Sequence, residues 1–196
     1  MRIVAGAWRG RTLIAPAGQT TRPTADRVRQ ALFDMLLHAS WGGRDVVEGA
    51  RVLDAFAGTG AFGLEALSRG AAHATFMEHD RAALAALRAN VAACRAGERA
   101  TVLAADVLTA PAGAPCGLVF LDPPYGRGLV ARTVDRLQAT GWIASEALVL
   151  AETGRDEMLP EMGTLLAERT HGAARLSVWK PLPPAAGEAA ERTRRG

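Results

Sequence analysis

The sequence predicts an α/β fold built on a doubly wound, mostly parallel sheet, and three observations carry that expectation. Strand-like apolar runs alternate with segments of helical periodicity between residues 51 and 152. A glycine-rich turn, DAFAGTGAFG, separates the first of those strands from its helix. Acids close four successive strands: Asp54, Glu78, Asp106 and Asp122. Strands that alternate with helices pair in parallel, with the helices covering the sheet.

The elements follow in order. Residues 2–16, RIVAGAWRGRTLIAP, read as two short apolar runs around a Gly/Arg-rich turn, a basic β-hairpin. After an extended, Pro-containing segment, Val28, Ala31, Leu32, Met35 and Leu36 fall at helical spacing, an amphipathic helix that Thr24 can cap and that WGGRD (41–45) breaks. RVLDAFA (51–57) is a strand leading to a helix through Leu64 and Leu67 that Gly70 stops. HATFMEHD (73–80) leads to an Ala/Leu-rich helix over 81–95. TVLAAD (101–106), GLVFLD (117–122) and ALVLAE (147–152) are further strands, with a helix from Leu129 to Ala139 between the last two. LLAERT and RLSVWKP flank the link HGA (171–173), an antiparallel pair at the sheet edge. The organisation expected is a basic hairpin-and-helix extension over 1–45, a catalytic domain over 46–182 and a polar, disordered tail over 183–196.

The 196 residues, 49% of them hydrophobic, suffice for one globular domain with a sizeable core. Cys94 and Cys116 are the only cysteines, and without CxxC spacing or a His cluster they support neither a disulfide framework nor a metal site. No run of about 18 uncharged apolar residues and no signal-peptide pattern is present, so a cytoplasmic protein without membrane contact is expected. The sequence carries no oligomer signal, and a monomer is the expectation. Net charge is +3, yet residues 1–30 hold Arg2, Arg9, Arg11, Arg22, Arg27 and Arg29 against the single acid Asp26. With Lys180 the only lysine, this cluster is built from the side chain that best matches phosphate bidentately, which points to a nucleic-acid partner.

Gly58, Gly60 and Gly63 have the G-x-G-x-x-G spacing that lets backbone approach a ligand at a helix N-terminus. Glu78, twenty residues past Gly58, is placed for ribose hydroxyls. This much fits NAD as well as S-adenosylmethionine. Asp54 can reach a methionine amino group and Asp106 an adenine amine, and a cationic sulfonium tolerates acidic surroundings that a pyrophosphate would not.

GLVFLDPPYGRG (117–128) ends a core strand in a carboxylate followed by two prolines and a tyrosine. An exocyclic base amine is a poor nucleophile because its lone pair is delocalised into the ring. The Asp122 carboxylate and the Pro123 carbonyl can each take one N–H and so turn the lone pair toward a methyl donor. Pro123 and Pro124 stiffen the turn, and Tyr125 can stack on an extruded base. Other readings stay open on these residues alone: a DNA adenine-N6 or cytosine-N4 methyltransferase, a non-catalytic RNA-binding assembly factor, or an NAD-dependent enzyme.

DPPY resembles the signature of DNA and RNA amino-methyltransferases with a Rossmann-like, class I fold. RIVAGAWRGR, RPTADRVRQALFDML, DAFAGTGAFGLEALSRGA, MEHDR and VFLDPPYGRG together resemble the bacterial 16S rRNA guanine-N2 methyltransferases of the small-subunit methyltransferase D family, over nearly the whole chain to Pro181. The resemblance implies methyl transfer from S-adenosylmethionine to the N2 of a guanine in 16S rRNA, free or in a small-subunit assembly particle. It implies Asp54, Gly58 and Gly60 at the methionine end, Glu78 on the ribose, Asp106 near the adenine, and Asp122, Pro123, Pro124 and Tyr125 at the target base. The stretch Arg22 to Arg27 resembles the segment that closes over cofactor and RNA, and Arg9 and Arg11 join it as expected RNA contacts. His79 stands where an apolar residue is expected against the adenine.

Overall fold

The computed structural model describes residues 1–16 and 23–182; Arg22 and the tail from Pro183 lie outside the described residues, as does the Thr24 side chain. In chain order the main elements are α1 (Pro23–His38), β1 (Arg51–Asp54), α2 (Ala61–Ser68), β2 (His73–Glu78), α3 (Arg81–Ala93), β3 (Ala100–Ala104), β4 (Cys116–Leu121), α4 (Leu129–Ala139), β5 (Ile143–Gly154), β6 (Gly163–His171) and β7 (Ala174–Pro181). The seven strands form one sheet in the order β3-β2-β1-β4-β5-β7-β6. Pairing is parallel from β3 through β5 and antiparallel where β7 joins β5 and β6.

Successive strand residues point to opposite faces, and the core divides accordingly. Val52, Leu118 and Phe120 pack on one face with α1 (Val28, Leu32, Phe33, Leu36), α2 and α3. Leu53, Val119 and Leu121 pack on the other with Val130, Val134 and Leu137 of α4. Near-continuous apolar strands such as GLVFL are required because both faces are covered.

The expected strands differ from the observed ones at their ends. RVLDAFA pairs only as far as Asp54, because the glycine turn takes the chain out of the sheet; Ala55 N still donates to Phe120 O at 3.0 Å. TVLAAD stops at Ala104, since Asp106 caps a short 3-10 helix, Val107–Thr109. β5 runs longer than ALVLAE, to Gly154, because β7 pairs along it from Val149 to Gly154. The N-terminal hairpin is present as a turn with one antiparallel bridge, Arg2 to Thr12, and bonds such as Ile3 N to Arg11 O at 2.9 Å. It has no room for a longer ladder because its backbone is claimed by the body of the protein.

That claim is made by three buried polar side chains. Glu65, on α2, accepts from Val4 N at 2.7 Å and Ala5 N at 2.9 Å while pairing with Arg69 (2.8 Å) and with buried Arg29 (3.6 Å). Ser68 Oγ accepts from Trp8 N at 2.9 Å and donates to Ala5 O at 2.6 Å. Asn90, on α3, accepts from Ile14 N at 2.7 Å and donates to Ile14 O and to Thr59 O of the glycine turn, both at 2.9 Å. A buried carboxylate is tolerated only when paired and hydrogen-bonded, so Glu65 ties the arm to the sheet domain. Gly6 permits the approach: at φ 81°, a Cβ there would meet Ser68 O at 1.9 Å.

Candidate active site at the C-terminal rim of the sheet

β1 and β4 are neighbours, but the chain leaves β1 toward β2 and leaves β4 toward β5. At such a topological switch point the two connections diverge and open a crevice beyond the strand ends. A cavity of about 600 Å³ lies there, lined among others by Phe56, Gly58, Glu78, Asp122, Tyr125 and Glu152. Its volume is in the range of small-molecule and cofactor sites.

One wall is the glycine turn. Gly58 (φ 52°) has nothing within 4 Å of a hypothetical Cβ, so a side chain there would enter open cavity. Gly60 (φ 80°) and Gly63 face inward instead: a Cβ would meet Leu87 Cδ1 at 2.5 Å at the first and Phe76 Cε1 at 2.3 Å at the second. Gly60 opens α2, and Gly63 lets that helix lie against β2. Glu78 holds the turn from below, accepting from Gly58 N at 2.9 Å and from His79 N and Asp80 N at 2.7 Å each. Asp54 does not line the cavity; it is buried and accepts from Gly63 N at 2.9 Å. Burial pushes its pKa up to about 7, against the Gly63 bond, with the Glu78 charge adding to the rise and Arg29 opposing it.

The opposite wall is the DPPY turn. Asp122, Pro123, Pro124 and Tyr125 all line the cavity. Asp122 opens to it and accepts no hydrogen bond from the described residues. Desolvation by the surrounding walls lifts its pKa well above the carboxylate range, and the charges of Glu152 and Asp54 lift it further. Tyr125 Oη donates to Glu152 Oε1, and Gly126 N donates to Glu157 Oε2 at 2.9 Å, so carboxylates from the β5 side fasten the turn. Glu152 is itself raised by desolvation, opposed by the Tyr125 bond and by His171.

The structure therefore brings together Gly58, Glu78 and Asp122 to Tyr125. Gly60 and Asp54 support the site from beneath. Asp106 is exposed and caps the 3-10 helix, its Oδ1 accepting from Leu108 N at 2.9 Å, while its neighbours Ala105 and Val107 line the cavity. His79 is on the rim. Glu152 and Phe56 were not anticipated; Glu152 closes ALVLAE, the expected strand after GLVFLD, and so continues the run of acids at the ends of the expected strands, which is the signal that could have found it. Arg9, Arg11 and Arg27 are exposed, whereas Arg29 is consumed by Asp26 and Glu65. Arg11 also donates to Ala93 O at the end of α3. Among the described residues no cluster of His, Cys, Asp or Glu could hold a metal ion, and no helix is long and apolar enough to cross a membrane.

A family model described as "Conserved hypothetical protein 95" matches residues 1–180. The chain belongs to this family. A relative from Escherichia coli (strain K12), named ribosomal RNA small subunit methyltransferase D, is 44% identical over 162 residues, 82% of this chain and 78% of that protein. The protein of the same name from Haemophilus influenzae is 37% identical over 88% of this chain and 89% of its own length. The solved structure of the Escherichia coli protein yhhF superposes with a TM-score of 0.79 at 40% identity, over 93% of this chain and 98% of its own. A Thermus thermophilus 16S rRNA N2 G1207 methyltransferase, solved with AdoMet and guanosine, shares the fold at 18% identity with a TM-score of 0.63, over 85% of this chain and 45% of its own. The fold is that of the class I S-adenosylmethionine-dependent methyltransferases, with the antiparallel C-terminal hairpin expected from sequence.

Proposed function

We propose that the protein transfers a methyl group from S-adenosylmethionine to the exocyclic N2 amine of a guanine in small-subunit rRNA. The observation that carries this reading is the meeting of the glycine turn and the DPPY turn across one cavity at the β1/β4 switch point. The names of its relatives support rRNA as the substrate, and the Thermus thermophilus neighbour supports guanine N2.

The cavity fits the cofactor on three counts. Its volume suits a nucleoside-sized ligand, Gly58 leaves the backbone uncovered on the cavity side, and its acids suit a cation. When bound, S-adenosylmethionine supplies an electrophilic methyl group. Glu78, held by three backbone N–H groups, keeps lone-pair capacity for ribose hydroxyls. Asp106 is assigned to the adenine end, where its Oδ2 can accept. Asp54, beneath the turn, contributes negative charge under the methionine end, and Gly60 sets the turn's shape.

At the target base, Asp122 and the Pro123 carbonyl accept the two amine hydrogens and orient the nitrogen lone pair. Pro124 keeps that carbonyl aimed, and Tyr125 stacks on the base. Residues 1–45 act as an RNA-contacting extension in which Arg9, Arg11, Arg22 and Arg27 meet phosphates. Asn90 then joins that extension to the glycine turn. Small-subunit particles from a strain lacking the family member, incubated with protein and S-adenosylmethionine and digested for mass spectrometry, test the reading. N2-methylguanosine is the expected product; a methylated adenosine or cytidine, or no product, would reject it.

A further inference from the structure

β4 and β5 are parallel and in register with Leu121 against Ala151, so the next residue on each chain is an acid, Asp122 and Glu152. Both line the cavity. Glu152 Oε1 is taken by Tyr125 Oη, and Oε2 has no hydrogen-bond partner among the described residues. Gly154 follows on the same strand, where a Cβ would stand 3.7 Å from the Tyr125 ring. The ring of Tyr125 is thus laid against β5 with a carboxylate oxygen beside it.

The amino bases differ in what stands next to the amine. Guanine presents N1–H beside its N2 amine, three donor hydrogens in a row. Adenine and cytosine present an unprotonated ring nitrogen beside theirs. Against Asp122, the Pro123 carbonyl and Glu152 Oε2, three donors find three acceptors. An adenine or cytosine edge would instead set a ring lone pair against a carboxylate, leaving both unsatisfied.

Resting on the guanine reading above, we propose that Glu152 is the residue that selects guanine, its Oε2 accepting the N1–H while Asp122 and Pro123 hold the amine. A carboxylate that only anchored Tyr125 would leave base preference untouched, which makes the two roles separable. Two rRNAs, assembled by ligation into small-subunit particles, carry guanine or 2-aminopurine at the modified position. 2-Aminopurine keeps the N2 amine but has an unprotonated N1. Single-turnover transfer to each is measured for the wild type, Glu152→Gln and Tyr125→Phe, with cofactor affinity as the control for folding. The wild type should prefer guanine by roughly 100-fold. In Glu152→Gln the amide can still accept from Tyr125 and can now donate to the 2-aminopurine N1, so the preference should fall at least about ten-fold. Tyr125→Phe should slow both substrates alike. An unchanged preference in Glu152→Gln overturns the selection role and leaves the guanine reading standing. Failure of the wild type to form N2-methylguanine rejects that reading and the proposal together.

Discussion

The two walls of the cavity are both acidic, yet their acids are held in opposite ways. On the glycine side the Glu78 carboxylate is committed to the N–H groups of Gly58, His79 and Asp80, and Asp54 to that of Gly63. On the DPPY side Asp122 accepts no bond from the described residues and Glu152 spends one oxygen on Tyr125. Acids that organise backbone fix a shape for binding. Acids that face the cavity with open lone pairs, desolvated and mutually repelling, are positioned to take hydrogens from something that enters.

The sharpest way to break this contrast is Asp122→Ala. Loss of one preorganised acceptor should lower methyl transfer by roughly 100-fold or more, with cofactor affinity preserved. Asp122→Asn should retain more activity than Asp122→Ala if lone-pair alignment is the main role; equal inactivity would assign proton removal to the carboxylate. Gly60→Val probes the other wall through the core. A side chain at φ 80° and 2.5 Å from Leu87 Cδ1 combines backbone strain with overpacking, about 3 kcal/mol in all. Thermal unfolding should fall by several degrees and cofactor binding should be lost with it.

A third effect is smaller and depends on pH. Asp54, raised to about 7 in the free protein, must ionise to favour a cationic ligand. Cofactor affinity should therefore rise about ten-fold between about pH 6 and about pH 8 by linkage, and Asp54→Asn should flatten that rise. Because its folded pKa lies above the ordinary carboxylate value, the same group makes the unliganded protein lose stability as pH rises through that interval; calorimetry reads both. The smallest effect expected is on RNA. Replacing Arg9 and Arg11 with Ala should reduce the salt dependence of RNA binding by about one contact each, at constant cofactor affinity. An unaltered slope would place the arm away from RNA.

The sequence made the sheet legible because its signals are local: buried parallel strands read as apolar runs, and α4 falls between two of them, as the strand–helix alternation requires, at Leu129–Ala139 as expected. The cavity was legible for the same reason, since the glycine spacing and DPPY sit at strand ends that topology brings together. What depended on tertiary direction was not. Which glycine faces the cavity and which faces core follows from how α2 lies on Phe76 and Leu87, not from the G-x-G-x-x-G pattern. Arg29 read as one more basic residue of the arm, yet it is buried against Glu65, itself a charged residue in the middle of a short helix with nothing local to mark it as an anchor. Glu152 is the last residue of the expected strand ALVLAE, yet it lies inside β5, which pairing with β7 carries on to Gly154.

The division of labour between the walls is tested most directly by measuring cofactor affinity and single-turnover methyl transfer at saturating cofactor on the same samples of Gly58→Val and Asp122→Ala. Gly58→Val places a branched side chain in open cavity at positive φ and should weaken affinity while leaving the saturated transfer rate within a few-fold of wild type. Asp122→Ala should do the reverse. Full transfer in Asp122→Ala, or a loss of cofactor affinity there as large as in Gly58→Val, would contradict the account.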